Sequence, residues 1–271
     1  MQNSELLKQI QNCEIEILSR IDEICKKHNL EYFGIGGTAL GAVRHEGFIP
    51  WDDDIDIGMP RKDYEKFLEI AAAELPGEYH IQHFSTEKKT PFYFAKIRKN
   101  NTEFVEYYLK DMDIHHGIFV DIFPFDNVPE NEKVREIHFK VCRFLYQMFL
   151  AKSLTTTMSS RITHKESMKG HIRKVVHYML FFVPKGLIFN LLDKGVQLFN
   201  GKDADEISHI VRRRLRVYKK DLYPIEELKF ENIVMPVPAN YDAYLRAQFG
   251  DYEVLPPEEK RYGHLPYSVK L

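Results

Sequence analysis

The stretch from Gly34 to Met59, GIGGTALGAVRHEGFIPWDDDIDIGM, constrains this chain more than any other, because Ile55 and Ile57 alternate with Asp54 and Asp56. Residues two apart on a strand share a face. The isoleucines therefore point into a core, and the two carboxylates leave together from the other side, their Cα atoms about 6.6 Å apart. Two unit charges roughly 6 Å apart at an effective dielectric of about 20 repel by roughly 3 kcal/mol. Asp52 and Asp53 add to that repulsion. A partly buried cluster of this kind takes up protons or gathers a cation. Carboxylates with no His or Cys among them suit a hard, oxygen-loving ion, so Mg²⁺ or Mn²⁺ is the expected metal. The plainer alternative is a solvated acidic turn after Pro50.

The residues before the aspartates supply a second half. Tyr32–Gly37 reads as a short strand ending in a glycine pair, and Thr38 starts a helix over Ala39–Arg44. At such a turn, Gly36, Gly37 and Thr38 let backbone N–H groups approach phosphate oxygens, and the helix N-terminus favours negative charge. The spacing matches neither a P-loop nor a GxGxxG fingerprint. A third carboxylate, Asp121, sits inside the apolar run Ile118–Phe123. A buried aspartate without a partner is costly, so Asp121 is expected to face a cation or donors; a structural Asp at a turn before Pro124 is the alternative. Arg44 and Lys96 are the candidate phosphate-binding cations, with Arg98 on the same strand face as Lys96. His115, His116, Trp51, Arg261 and His264 are weaker candidates, each with a packing or surface reading beside the functional one.

Helical spacing of Leu6, Ile10, Cys13, Ile17, Ile21 and Ile24 predicts a first helix from Ser4 to about Lys27. Strands are expected at 55–59, 79–84, 92–98, 102–107 and 118–123, the last ended by Pro124, and a helix at about 63–75. From about Glu130 the pattern turns helical, with Arg212, Arg213, Arg214 and Arg216 in one helix and a short helix at 240–249. The fold class expected is α/β: a mixed sheet with flanking helices over 1–128, then a mainly helical region over 129–271 whose tail packs back on the core.

A net charge of −2 argues against a nucleic-acid partner. Cys13, Cys25 and Cys142 fit no zinc or disulfide spacing, which points to a reducing, cytoplasmic setting. The apolar stretch 175–192 is interrupted by Pro184-Lys185-Gly186 and is not a clean membrane span. With the Arg212–Arg216 run it suggests peripheral contact with the inner face of a membrane; ordinary core and a solvated helix are the alternatives.

The block GGTALGAVRHEGFIPWDDDIDIGMPRKDYEKF closely resembles the LicD family, within the nucleotidyltransferase-fold superfamily. The resemblance continues through PFYFAKIRKNNTEF (91–104), GIFVDIFPFDNVP (117–129) and MPVPANYDAYLRAQFGDYEVLPPEEKRYGH (235–264), and leaves out the middle of the chain. It implies a nucleotidyltransferase-like core, donor phosphates at Gly36, Gly37 and Thr38, and metal at Asp54, Asp56 and Asp121. It also implies a transferase moving phosphocholine, or a similar phospho-alcohol, from CDP-choline or another CDP-alcohol. The acceptor would be a sugar hydroxyl on a teichoic-acid, capsule, lipopolysaccharide or lipid-linked glycan precursor. Two rivals stay open: a nucleotidyltransferase moving NMP from an NTP, and a non-catalytic binding protein on the same fold.

Overall fold

The computed structural model describes residues 4–154, 168–212, 215–264 and 266–271. The first helix, α1 (Ser4–His28), buries one apolar stripe that includes Ile10, Ile17, Leu18, Ile21 and Ile24, and places Lys26, Lys27 and His28 in its last turn. Basic residues there complement the helix dipole. A two-residue strand, β1 (Phe33–Gly34), leads into α2 (Gly36–His45), and β2 (Ile55–Pro60) leads into α3 (Arg61–Glu74). Then come β3 (Tyr79–Gln82), β4 (Ala95–Lys99), β5 (Glu103–Val105) and β6 (Phe119–Asn127).

The central sheet has the order β1-β2-β6-β4-β3; β2 and β6 run parallel, and the other neighbours are antiparallel. One face packs Ile55, Ile57, Val120 and Ile122 against α1 and α3. The other carries Phe123 and Phe125 toward α2 and a late helix, α7 (Tyr241–Phe249). Asp121 alternates with Val120 and Ile122 and so lies on this second face.

β6 does not stop at Pro124 as the sequence suggested; it continues to Asn127. β4 pairs with β6 only through Ile122, and β7 (Glu206–Ser208) takes over at Asp126. The N–H that proline lacks therefore falls where the β4 side is no longer paired.

After β6, Asn131 caps α4 (Glu132–Ser153), its side chain accepting from the Val134 N–H at 3.2 Å. Next are α5 (Met168–Met179) and α6 (Lys185–Val196). The chain then turns to strands: β7 pairs with β8 (Arg216–Tyr218), and β9 (Glu226–Phe230) forms a hairpin with β10 (Ile233–Val237). The helix expected through the arginine run is not there. Arg212 sits in a turn and Arg216 opens β8, because Ile207 and Val217 bury their side chains at strand spacing. Arg213 and Arg214 lie outside the described residues. The chain ends on β11 (Ser268–Lys270), paired with β5. No helix among the described residues is long and apolar enough to cross a membrane.

Candidate active site

The Asp54–Ile57 alternation folds as its pattern requires. Ile55 and Ile57 are buried, and Asp54 and Asp56 are partly exposed. Asp56 stands in register with Asp121 on the parallel strand β6, and Asp121 with Lys96 on β4. In-register neighbours share a face, so the strand order lines up Asp56, Asp121 and Lys96 across the sheet. Lys96 Nζ donates to Asp121 Oδ1 at 2.6 Å, both side chains buried, and lies 3.4 Å from the Phe119 ring centroid. Lys96 and Arg98 share a strand face as predicted, but in the interior. Arg98 donates to Gln82 and to the Gly117 carbonyl.

The glycine turn is tied to the same strand. The Ile35 N–H donates to the Asp56 carbonyl at 3.1 Å, and the Asp56 N–H to Thr38 Oγ1 at 2.8 Å. Thr38 thus locks α2 onto β2. Gly36 has φ +55°, a left-handed value that favours glycine, and an added Cβ would lie 4.0 Å from Asp56 Oδ2. At Gly37 an added Cβ would come within 2.6 Å of Asp52 Oδ2. The Gly36 N–H donates to the Tyr244 hydroxyl of α7 at 3.2 Å.

The carboxylates strain against one another. Burial, opposed by His264 and helped by Asp53 and Asp56, pushes Asp52 up to about 6. Burial, then Asp52, Asp53 and Asp121, push Asp54 up to about 8, again with His264 opposing. Asp56 is pushed well above the usual range by burial, Asp54 and Asp121, while Arg212 and His264 pull the other way. Asp121 is raised by burial against the pull of Lys96. Such a set favours a cation ligand or a bound proton.

His264, a weaker candidate in the sequence, closes one side of the cluster, and Glu14 and Gln11 of α1, which the sequence did not single out, come in from another. The His264 backbone N–H donates to Asp53 Oδ1 and Oδ2 at 2.8 and 3.0 Å, and its Nδ1–H to Oδ1 at 2.9 Å; Nε2 lies 3.6 Å from Asp54 Oδ2. Burial opposes the imidazolium, but Asp54 and Asp53 outweigh it and raise His264 to about 10. A Cβ on Gly263 would come within 2.5 Å of Asp53 Oδ1, so glycine permits this approach. Among the described residues, Asp53, Asp54 and His264 are the one trio with ligand atoms within 4.8 Å of each other. Asp54 and Asp53 favour the charged form of His264, in which it acts there as a counter-charge. Asp54, Asp56 and Asp121 stand wider, in keeping with like-charge repulsion.

Glu14 of α1 is fully buried, and burial together with Asp54, Asp53 and Asp52 raises its pKa well above the usual range. Gln11, one turn earlier, donates to the Asp52 carbonyl at 3.0 Å. The signal was a carboxylate inside the apolar stripe of a helix. Arg212 is exposed to solvent, and the charges of Asp56 and Asp121 act on it. Its guanidinium sits 5.4 and 5.2 Å from the Phe94 and Phe123 ring centroids and bonds Tyr146, and its charge offsets the rise at Asp56.

Other predicted residues lie elsewhere. Arg44 donates to the Tyr252 carbonyl and to His45 Nε2. His115 stacks on His80 with ring centroids 4.7 Å apart and bonds Asn100, and His116 bonds the Met112 carbonyl. Trp51 lies under the Arg261 guanidinium, 5.5 Å from its ring centroid, which fastens the tail over the aspartate loop.

A family model described as the LicD/FKTN/FKRP nucleotidyltransferase domain matches residues 29–148. The lipopolysaccharide cholinephosphotransferase LicD of Haemophilus influenzae is 28% identical over 259 residues, covering 92% of each chain. The human ribitol 5-phosphate transferase FKRP is 29% identical over 96 residues, 35% of this chain and 17% of that protein. An uncharacterised protein of Rickettsia typhi is 33% identical over 117 residues, 43% of this chain and 35% of its own.

Proposed function

We propose, from a chain that carries a LicD-family domain over residues 29–148, that it transfers a phospho-alcohol to a glycan hydroxyl. One observation carries the reading: Asp56 and Asp121 stand in register on adjoining strands beside Asp54 and the Gly36–Gly37 turn. The long match to a cholinephosphotransferase supports phosphocholine as the group moved, with CDP-choline or another CDP-alcohol as donor. The shorter match to a ribitol 5-phosphate transferase supports a chemistry of phosphate-linked alcohols in general. The acceptor is a sugar of a cell-surface glycan precursor (teichoic acid, capsule or lipopolysaccharide), free or lipid-linked. Three buried free thiols, Cys13, Cys25 and Cys142, favour the reducing, cytoplasmic side of the membrane.

The crowded carboxylates fit a hard divalent ion. Asp54, Asp56 and Asp121 would hold Mg²⁺ or Mn²⁺, which when bound neutralises charge on the donor diphosphate. Lys96 fixes the Asp121 carboxylate from behind and is thereby committed to that role. Arg212, near enough for its charge to act on Asp56, takes a phosphate oxygen. Thr38 holds the glycine turn to β2, leaving the Gly37 N–H to face the donor. The acceptor oxygen attacks the phosphorus that bears the alcohol. The bond to the bridging oxygen breaks, CMP leaves with the electron pair, and the acceptor proton passes to a carboxylate of the cluster, Asp121 by its position. Most of the acceleration comes from placement and charge stabilisation.

The test is a donor screen with purified protein and Mg²⁺. CMP release from a CDP-alcohol is expected, with loss by orders of magnitude in Asp54→Ala. Near-normal activity in that variant would overturn the assignment. Pyrophosphate release from an NTP would instead favour nucleotidyl transfer, the reading that the family model's description keeps in view.

A further inference from the structure

The helix α5 is apolar on two faces. Val176 and Leu180 pack inward against α4 and α6 in a buried cluster. Ile172, Val175 and Met179, at i, i+3 and i+7, form a second stripe on the outside, with Met179 76% exposed. The stripe runs into the tip between α5 and α6, where Phe181 and Phe182 are 70% and 91% exposed. Two adjacent phenylalanines this open are unusual on a surface facing only water.

The charged residues of 171–192 are Arg173, Lys174 and Lys185, all of one sign. Lys185 is folded onto the carbonyls of Lys88, Lys89 and Thr90. Lys152 of α4 braces the tip by donating to the Leu180 and Phe181 carbonyls at 2.8 and 3.1 Å. The tip is therefore held in place and carries bare aromatic rings beside cations. That composition complements an interface of acyl chains and anionic headgroups. Arg173 of this helix and Arg212 both bear on Tyr146 of α4.

We propose that the outer stripe of α5 and the Phe181–Phe182 tip insert into an anionic membrane surface, docking the protein as a peripheral enzyme. The aromatic tip supplies partitioning into the acyl boundary, and the basic residues supply preference for anionic lipid. The inference concerns where the protein binds and stands whichever group it transfers.

The test is co-sedimentation with vesicles of phosphatidylglycerol and phosphatidylcholine, against pure phosphatidylcholine, at low and high salt. Wild-type protein should pellet with the mixed vesicles at least tenfold more strongly than with the neutral ones, and salt should weaken binding. Phe181→Ser/Phe182→Ser should lower partitioning at least tenfold while leaving unchanged the melting temperature and the CMP released from a CDP-alcohol donor in the presence of a soluble acceptor, because both rings are exposed. Lack of wild-type binding to anionic vesicles, or equal binding by the double variant, would overturn the proposal. So would concentration-dependent dimerisation abolished by the same substitutions, since a second copy would then cover the face.

Discussion

Replacing Lys96 by Met tests how the sheet organises the site. Lys96 and Asp121 form an ion pair at 2.6 Å with side chains only 3% and 9% exposed, and the ammonium also lies 3.4 Å from the Phe119 ring centroid. Lys96→Met keeps most of the volume and the fit against Phe119. It strands the Asp121 carboxylate in a site whose burial already raises its pKa. Breaking a buried pair by removing one partner costs about 3–5 kcal/mol, since the remaining charge stays desolvated. For a chain of this size that lowers the melting temperature by roughly 6–20 °C. Asp121→Asn removes the charge from the other side, and the double variant Lys96→Met/Asp121→Asn should recover much of the loss of Lys96→Met alone. Urea unfolding of the four proteins gives the coupling directly. A Lys96→Met protein within about 1 kcal/mol of wild type would refute the claim that this lysine neutralises a buried carboxylate.

Asp56→Asn should raise the melting temperature without divalent ions, because it removes a carboxylate that burial and its neighbours hold far above its usual pKa; the stabilisation that Mg²⁺ gives the wild type should disappear in the same thermal-shift experiment. Gly263→Ala puts a Cβ within 2.5 Å of Asp53 Oδ1, so His264 should lose its bonds to Asp53 and transferase turnover should fall at least tenfold, an energy of about 1.4 kcal/mol or more. His209 is fully buried, and burial with the charge of Arg212 lowers its pKa to about 3. The unfolded chain therefore binds this proton from about pH 6.5 downward while the folded one refuses it. Its contribution lowers stability as pH falls from about 6.5 to 3, and the wild-type pH dependence minus that of His209→Gln should show that slope in urea titrations.

Local pattern carried a good deal of this. The period-two alternation at Asp54–Ile57 fixes a strand and its two faces with no knowledge of the neighbours, because one register alone buries both isoleucines. The glycine pair between strand and helix was legible too, although Gly36 and Gly37 open α2 instead of ending the strand, with Gly36 at a φ that other residues resist. Apolar spacing gave α1 and the break before α6, where Pro184 precedes the first turn. Resemblance to a family pointed to Asp121 as partner of the DxD pair, and the register of β2 on β6 sets it beside Asp56.

What the chain could not disclose by itself is which distant residues balance those carboxylates. Lys96 looked like a surface or phosphate-binding cation, yet antiparallel pairing of β4 on β6 turns it onto Asp121. Arg212 read as part of an exposed basic helix, but strand formation at β7 and β8 leaves it in a turn from which its charge acts on Asp56. His264 reaches Asp53 across 211 residues because β11 pairs with β5 and brings the tail back over the aspartate loop. Electrostatic partnership is set by distance in space, and sequence separation says nothing about it until strand pairing has fixed the neighbours.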